Sequence, residues 1–223
     1  MTNEISIIAS NLCFQKDKKF LIKNVNLKIK KGKKTFIIGQ NGSGKTILLK
    51  LLHGILTPSK GNIVYPRSIK QKMVFQKPIL LRRTTHEHFN FVCPEFNSAK
   101  KIAWFKKSNL LNKLNLSARL LSGGEQQKLA LIGALATNPD IIFLDEVTSN
   151  LDFDSKKFVE NNIVEFSKNG KTIVMTSHSK LQAEKLADEI ILISDGKIKE
   201  CSSAKSFFSK PKSKEGKIFL ENA

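Results

Sequence analysis

The first thirty residues alternate between apolar and polar positions. Ile5 to Ile29 reads as two strands around the turn Asp17-Lys18-Lys19, a small antiparallel flap. Solid apolar runs come next. Thr35-Phe36-Ile37-Ile38 predicts a short buried strand, and Ile141-Ile142-Phe143-Leu144 a central strand of a parallel sheet covered on both faces. Thr172-Ile173-Val174-Met175 is another buried strand. Glu189 to Ile193, with the strand after Asp195-Gly196, forms a terminal hairpin because Asp-Gly favours a tight turn. Helical spacing places Ile47, Leu48, Leu51, Leu52 and Ile55 on one face, and Leu129, Ile132 and Ala136 on another. Val159, Ile163 and Phe166 mark an amphipathic helix, and Gly61 to Phe75 a pair of short strands. From Lys77 to Leu120 the pattern is mostly helical, with Ile102, Phe105, Leu110, Leu111 and Leu114 as expected buried positions. Lys205 to Lys217 is rich in lysine and serine and predicts a loosely ordered tail, about 205–223.

The chemistry begins where the first buried strand ends. Gly39-Gln40-Asn41-Gly42-Ser43-Gly44-Lys45-Thr46 lies between that strand and a helix start, the context a phosphate-binding loop requires. Its glycines let backbone N–H groups approach phosphate oxygens, and the helix start adds positive potential. Lys45 is expected on the β- and γ-phosphates, and Thr46 on Mg²⁺. Leu121-Ser122-Gly123-Gly124-Glu125 is a second glycine-rich string at the head of a helix. Two such surfaces in one small chain point to a nucleotide clamped between two protein faces.

Asp145 and Glu146 close the apolar run that begins at Ile141. Ligands of open α/β sheets bind at the carboxyl ends of strands. Asp145 suits the Mg²⁺-linked carboxylate, and Glu146 the group that polarises an attacking water.

With these strings in place, the chain resembles the nucleotide-binding subunits of ATP-binding cassette (ABC) transporters over nearly its whole length. The further motifs follow in the family's order: Gln76 in Val74-Phe75-Gln76-Lys77-Pro78 as the Q-loop, Leu121 to Glu125 as the signature, and Ile141 to Asp145 as the Walker B strand. Ser149-Asn150-Leu151-Asp152 is the D-loop, and His178 in Thr176-Ser177-His178 the switch histidine. The resemblance implies a P-loop NTPase core of ABC type, a mostly parallel sheet with helices, carrying the antiparallel flap and a compact helical subdomain at about 77–120. It implies one nucleotide-binding domain over 1–223. Two copies would pair head to tail around ATP, each nucleotide held by the phosphate loop of one copy and by Ser122, Gly123 and Gly124 of the other. Gln76 would touch Mg²⁺ or the lytic water and report to a membrane partner. His178 would hold the γ-phosphate and position Glu146, and Asp152 would tie the two sites across the interface.

Three positions depart from the family pattern. Lys16 stands where an aromatic residue usually stacks on adenine, so the chain is expected either to use GTP beside ATP or to bind both weakly. Val147 stands where proline usually follows the glutamate. Leu114 to Arg119 is shorter than usual before the signature.

Composition narrows the setting. In 223 residues, 40% are hydrophobic, enough for a sizeable core, yet no apolar run approaches a membrane span. Met1-Thr2-Asn3-Glu4 does not read as an export signal. These features predict a cytosolic chain, and the resemblance implies a place at the cytoplasmic face of the inner membrane, reached through integral-membrane permease subunits. Cys13, Cys93 and Cys201 form neither a disulfide framework nor a metal motif. His86 and His88, flanking Glu87, read as a solvated helix start. The net charge is +19, almost wholly lysine, since only Arg67, Arg82, Arg83 and Arg119 are arginines; it reads as a solvated surface, with attraction to an anionic leaflet second.

Phe75 to Thr84 is similar to the same stretch in tungstate-, molybdate- and phosphate-type importers, most of all the tungstate branch. The resulting expectation is the ATPase subunit of a bacterial oxyanion importer that works with a periplasmic solute-binding protein. A nucleic-acid-associated ABC ATPase is the alternative from another class. Positive charge alone favours it, Gln76 to Leu121 is too short for the coiled coil of chromosome-type cassettes, and no nucleic acid is expected as partner. An exporter subunit remains a third reading.

Overall fold

The computed structural model describes residues 5–66 and 68–222. Met1 to Glu4, Arg67 and Ala223 lie outside them, and with them the expectation about an export signal. The strands are β1 (Ile5–Lys16), β2 (Lys19–Lys30), β3 (Lys34–Ile38), β4 (Lys60–Val64), β5 (Gln71–Val74), β6 (Ile141–Asp145), β7 (Thr172–Ser177), β8 (Glu189–Ser194) and β9 (Lys197–Ser203). The helices are α1 (Lys45–His53), α2 (Thr85–Val92), α3 (Ser98–Lys107), α4 (Gly123–Ala136), α5 (Phe153–Lys168), α6 (Lys180–Leu186), α7 (Ala204–Ser209) and α8 (Lys214–Asn222).

Two sheets organise the chain. A six-stranded sheet has the order β5-β6-β7-β3-β8-β9, parallel except for the β8–β9 hairpin, and a three-stranded antiparallel sheet has the order β2-β1-β4. This is the α/β architecture with an antiparallel flap that the pattern predicts. The flap turns at Asp17 and Lys18, both at positive φ (49° and 60°), a geometry that matches the right-handed twist of a hairpin. Lys30 and Lys34 pair with Glu189 and Asp188, stitching the end of β2 and the start of β3 to the start of β8.

β6 and β7 are buried along their whole length, as near-continuous apolar runs demand. One layer of core joins β3, β6, β7 and β8 to α4, α5 and α7, and the other packs the flap and α1 beneath the sheet. Leu48, Leu49, Leu51 and Leu52 of α1 are fully buried, worth about 1.5–3 kcal/mol each. Ile55 is 46% exposed instead of sharing that face. Gly54 ends α1 in the left-handed conformation and sends the chain away before Ile55.

A third apolar cluster gathers Phe89, Phe105, Leu110, Ala118, Leu121, Leu129 and Ile132 from α2, α3, α4 and the segment between α3 and α4. Ile102 and Leu111 are exposed, against expectation. α3 turns Phe105 and Ser108 inward, and Leu111 leads into a short 3₁₀ turn. His88 also departs from the solvated reading. It is buried, and its Nδ1 accepts the Leu81 N–H at 3.3 Å. Burial holds its pKa below the ordinary 6.5.

The tail is the clearest correction. The stretch expected to be loose contains α7 and α8, and Phe207 is fully buried against Phe208 and Phe219. Lysine and serine dominate the composition, but the phenylalanines fall where both helices reach the core. The buried Glu200 carboxylate fixes the intervening turn, accepting from Lys212 N, Ser213 N and Ser213 Oγ at 2.8–3.0 Å and from Ser202 Oγ at 3.2 Å. Burial works to raise its pKa, but the donated N–H and O–H groups outweigh it and hold the carboxyl below its ordinary 4.5. The folded protein therefore binds fewer protons there than the unfolded chain. The contribution is full above pH 4.5 and is lost as pH falls through the lowered folded value. Glu200→Ala is expected to cost about 1–3 kcal/mol and to speed amide exchange in α8. Unchanged exchange would show that the turn holds without the carboxylate.

Candidate functional site

The site forms at the carboxyl ends of β3, β5, β6 and β7, where four loops converge. β3 ends at Ile38, and Gly39 begins the phosphate loop. A Cβ on Gly39 would stand 2.2 Å from the Ile193 carbonyl oxygen, so no larger residue fits there. The loop wraps Lys45, which is buried, with Nζ 3.0 Å from Gly39 O and 3.1 Å from Gln40 O. Ser43 Oγ is buried with no hydrogen-bond partner among the described residues. An unpartnered hydroxyl and a buried ammonium in one cradle suit an anionic oxygen ligand.

Asp145 ends β6 and is 4% exposed. Its Oδ1 accepts from Thr46 Oγ1 and from Thr176 Oγ1, both at 2.8 Å. The next residue, Glu146, takes a left-handed conformation (φ 43°), a strained state for a non-glycine residue that persists only when its surroundings enforce it. They do so through its N–H, which donates to Thr176 Oγ1 at 2.9 Å, and through Ser149 N, which donates to its carbonyl at 3.0 Å. The Glu146 carboxylate then lies 3.4 Å from each of Lys45 Nζ, His178 Nδ1, Gln76 Nε2 and Ser149 Oγ. A cavity of about 400 Å³ opens among Asn41, Gly42, Gly44, Lys45, Thr46, Gln76 and Glu146. A second cavity, of about 470 Å³, touches Glu146 from the side of Ser149, Asn150 and His178.

The structure thus brings together Gly39, Gln40, Asn41, Gly42, Ser43, Gly44, Lys45, Thr46, Gln76, Asp145, Glu146 and His178. Ser122, Gly123 and Gly124 form a separate group. Ser122 caps α4 in a reciprocal pair with Glu125. A Cβ on Gly124 would stand 2.4 Å from Ser155 Oγ and 2.9 Å from Asp152 Oδ2. Asp152 caps α5, accepting from Ser155 N and Ser155 Oγ at 2.8 Å, and these bonds hold its carboxyl below the ordinary value. Lys16 faces Lys19 across the flap turn and is exposed, while Phe20, 38% exposed, pairs with Gln15.

The comparisons with known proteins agree with this geometry. Residues 22–149, more than half of the chain, match the family profile described as ABC transporter. The chain belongs to the ABC transporter family. As an ABC ATPase it is an ATP-binding, ATP-hydrolysing subunit. It is 35% identical over 203 residues to a putative ABC transporter ATP-binding protein of Methanosarcina mazei, covering 83% of this chain and 71% of that one. It is 33% identical over 222 residues to the arginine transport ATP-binding protein ArtM of Bacillus subtilis, covering 90% and 92%. Among solved structures, a bacterial Atm1-family ABC exporter with ATP bound superposes with a TM-score of 0.87 at 19% identity, over all of this chain and 42% of that one. That last likeness concerns the fold alone.

Two polar residues at the site carried no signal of their own in the sequence. Thr176 is fully buried and joins Asp145 to the Glu146 backbone. Gln127 of α4 is 2% exposed and donates to Phe75 O at 3.2 Å, tying the signature helix to the residue before Gln76. Both sit inside apolar or motif strings, and only the strand register and helix docking show what they touch. Thr176→Val keeps the shape but leaves the Glu146 N–H unpaired. The expected result is a loss of about 1–3 kcal/mol in denaturant unfolding and a fall in ATP turnover of about tenfold or more. Wild-type turnover would show that the Glu146 backbone needs no such tether.

Proposed function

We propose that two copies of this ABC ATPase pair head to tail, each ATP lying between the phosphate loop of one copy and Ser122, Gly123 and Gly124 of the other. The observation that carries this reading is the position of Glu146, held beside Lys45, Gln76 and His178 at the mouth of the phosphate cradle. In the closed pair, Lys45 and the loop N–H groups bind the β- and γ-phosphates. Glu146 orients a water and accepts its proton as the water oxygen bonds to the γ-phosphorus and the bond to the β-phosphate oxygen breaks. His178 holds the γ-phosphate and steadies Glu146. The Thr46 hydroxyl, the Asp145 carboxylate and the Gln76 amide oxygen are the hard oxygen donors that Mg²⁺ prefers. When bound, Mg²⁺ would neutralise charge on the β- and γ-phosphate oxygens. Asp152 braces Gly124 within its own copy and so supports the surface offered to the other. Loss of the γ-phosphate removes the bridge, and the pair opens.

At the level of the transporter, the proposed role is powering a bacterial importer through integral-membrane permease subunits, at the cytoplasmic face of the inner membrane. A periplasmic solute-binding protein would deliver the cargo, an oxyanion of the tungstate class. The Phe75–Thr84 stretch supports the cargo reading. Among the described residues no helix is long and apolar enough to cross a membrane. ATP-driven uptake of tungstate into vesicles holding this chain and its co-purifying permease tests both; outward movement would reverse the direction, and indifference to tungstate would remove the cargo.

Glu146→Gln is expected to keep ATP binding, to lose turnover by about 100-fold or more and to elute as a dimer with MgATP. Near-normal turnover, or solitary molecules under those conditions, would overturn the closed-pair mechanism. With lysine in place of a flat ring at position 16, GTP is expected to support hydrolysis within about tenfold of ATP. Strict ATP selectivity would place the adenine recognition elsewhere.

A further inference from the structure

Behind the site lies a buried polar network that no motif describes. Gln182, on α6, is 2% exposed. The Glu160 carboxylate can only accept, so the Gln182 Nε2 faces it, 3.3 Å from Oε1. The Gln182 Oε1 is then left to accept from Ser177 Oγ at 3.0 Å, and Thr148 Oγ1 meets the same amide, 2.9 Å from Nε2 and 3.1 Å from Oε1. Ser177 Oγ in turn accepts the Ser179 N–H at 3.0 Å, so both neighbours of His178 in the chain are held by one hydroxyl. Ser179 Oγ accepts the Gln182 N–H at 3.3 Å, closing the loop onto α6. On the other side, Thr148 sits between Glu146 and Ser149, whose hydroxyl lies 3.4 Å from Glu146 Oε2. The second oxygen of Glu160 pairs with Lys185 at 2.8 Å, anchoring the network to α5.

One side-chain amide therefore joins the loop after β6 to the loop after β7. We propose that Gln182 is a positioning residue for hydrolysis: it keeps the loop bearing His178 and the loop bearing Ser149 in register about Glu146. The proposal rests on the assignment of Glu146 and His178 to the hydrolytic step. Gln182 does not line the phosphate cradle, whose contacts run through Lys45 and Thr46. Its loss should lower the rate of the chemical step and leave nucleotide affinity alone, a split that general destabilisation would not produce.

Gln182→Met removes every side-chain polar link of residue 182 at nearly constant volume and keeps its backbone bond to Ser179. Its kcat is expected to fall about 10–100-fold, while the Kd for a non-hydrolysable ATP analogue stays within about threefold of wild type. Gln182→Glu sets two carboxylates against each other and should slow turnover similarly. Adding Glu160→Gln to it restores a neutral donor facing a carboxylate and should return kcat to within about threefold of wild type. Wild-type kcat in Gln182→Met, or a double variant no faster than Gln182→Glu, overturns the proposal. Should Gln182→Met fail to fold, Ser177→Ala and Thr148→Val cut the two arms separately; full turnover in both overturns it, and slowed turnover with intact affinity supports it. Glu146→Gln is measured in parallel. If it turns over ATP normally, the hydrolytic assignment falls and the positioning role with it. If it is inactive while Gln182→Met is fully active, only the positioning role falls.

Discussion

One oxygen atom carries much of this structure. Asp145 Oδ1 accepts two hydroxyl hydrogen bonds, from Thr46 at the start of α1 and from Thr176 near the end of β7. Through it the phosphate loop, the central strand β6 and its neighbour β7 meet at one buried point. A carboxylate with so little contact with water needs such donors, because an unpaired buried charge is far costlier than a paired one. The same hydroxyl of Thr176 receives the Glu146 N–H, so the strained backbone of Glu146 is held by the group that stabilises Asp145. Strain of this kind survives only where neighbouring bonds over-determine it, and here they do.

The chain presents two unlike groups of residues. The phosphate cradle gathers around Glu146, whereas Ser122 to Gly124 pack against the capped start of α5. Gly124 lies close against Ser155 and Asp152, so the capped start of α5 shapes the start of α4. The signature helix is not independent of the cradle, since Gln127 reaches the Phe75 carbonyl beside Gln76. That hydrogen bond links the two segments, and its loss would leave the buried Gln127 amide without an acceptor. The lysine excess plays a smaller part. A few lysines stitch elements together, as Lys34 does with Asp188 and Lys107 of α3 with Glu165 of α5, and an exposed pair such as the second contributes little.

Much of the architecture can be read from neighbouring residues. Thr35 to Ile38 followed at once by glycine means strand then loop. The leucine spacing after Lys45 means a helix, and Asp195-Gly196 means a hairpin. Local rules lose their hold where they meet distant packing. Ile55 fits the periodicity of α1, but Gly54 has already ended the helix. The C-terminal stretch is polar on average, yet Phe207 and the Glu200 carboxylate bind it to the body of the protein. His88 lies in a string that looks solvated, and burial turns it inward.

The amino-acid string by itself determined the succession of elements, the glycine-rich cradle, the two acids after β6 and the histidine after β7, because each depends on residues a few positions apart. Tertiary structure alone decided that Thr176 bridges Asp145 and Glu146, that Gly124 leans on Asp152, and that Gln182 joins two loops. Most partners in those contacts lie 28–34 positions apart in the chain, Ser177 and Gln182 only 5, and the side chains that meet there are polar, with no periodicity to announce them. What selects them is the strand order β5-β6-β7-β3-β8-β9. It places the ends of separate strands side by side, and burial then requires each polar group there to find a partner.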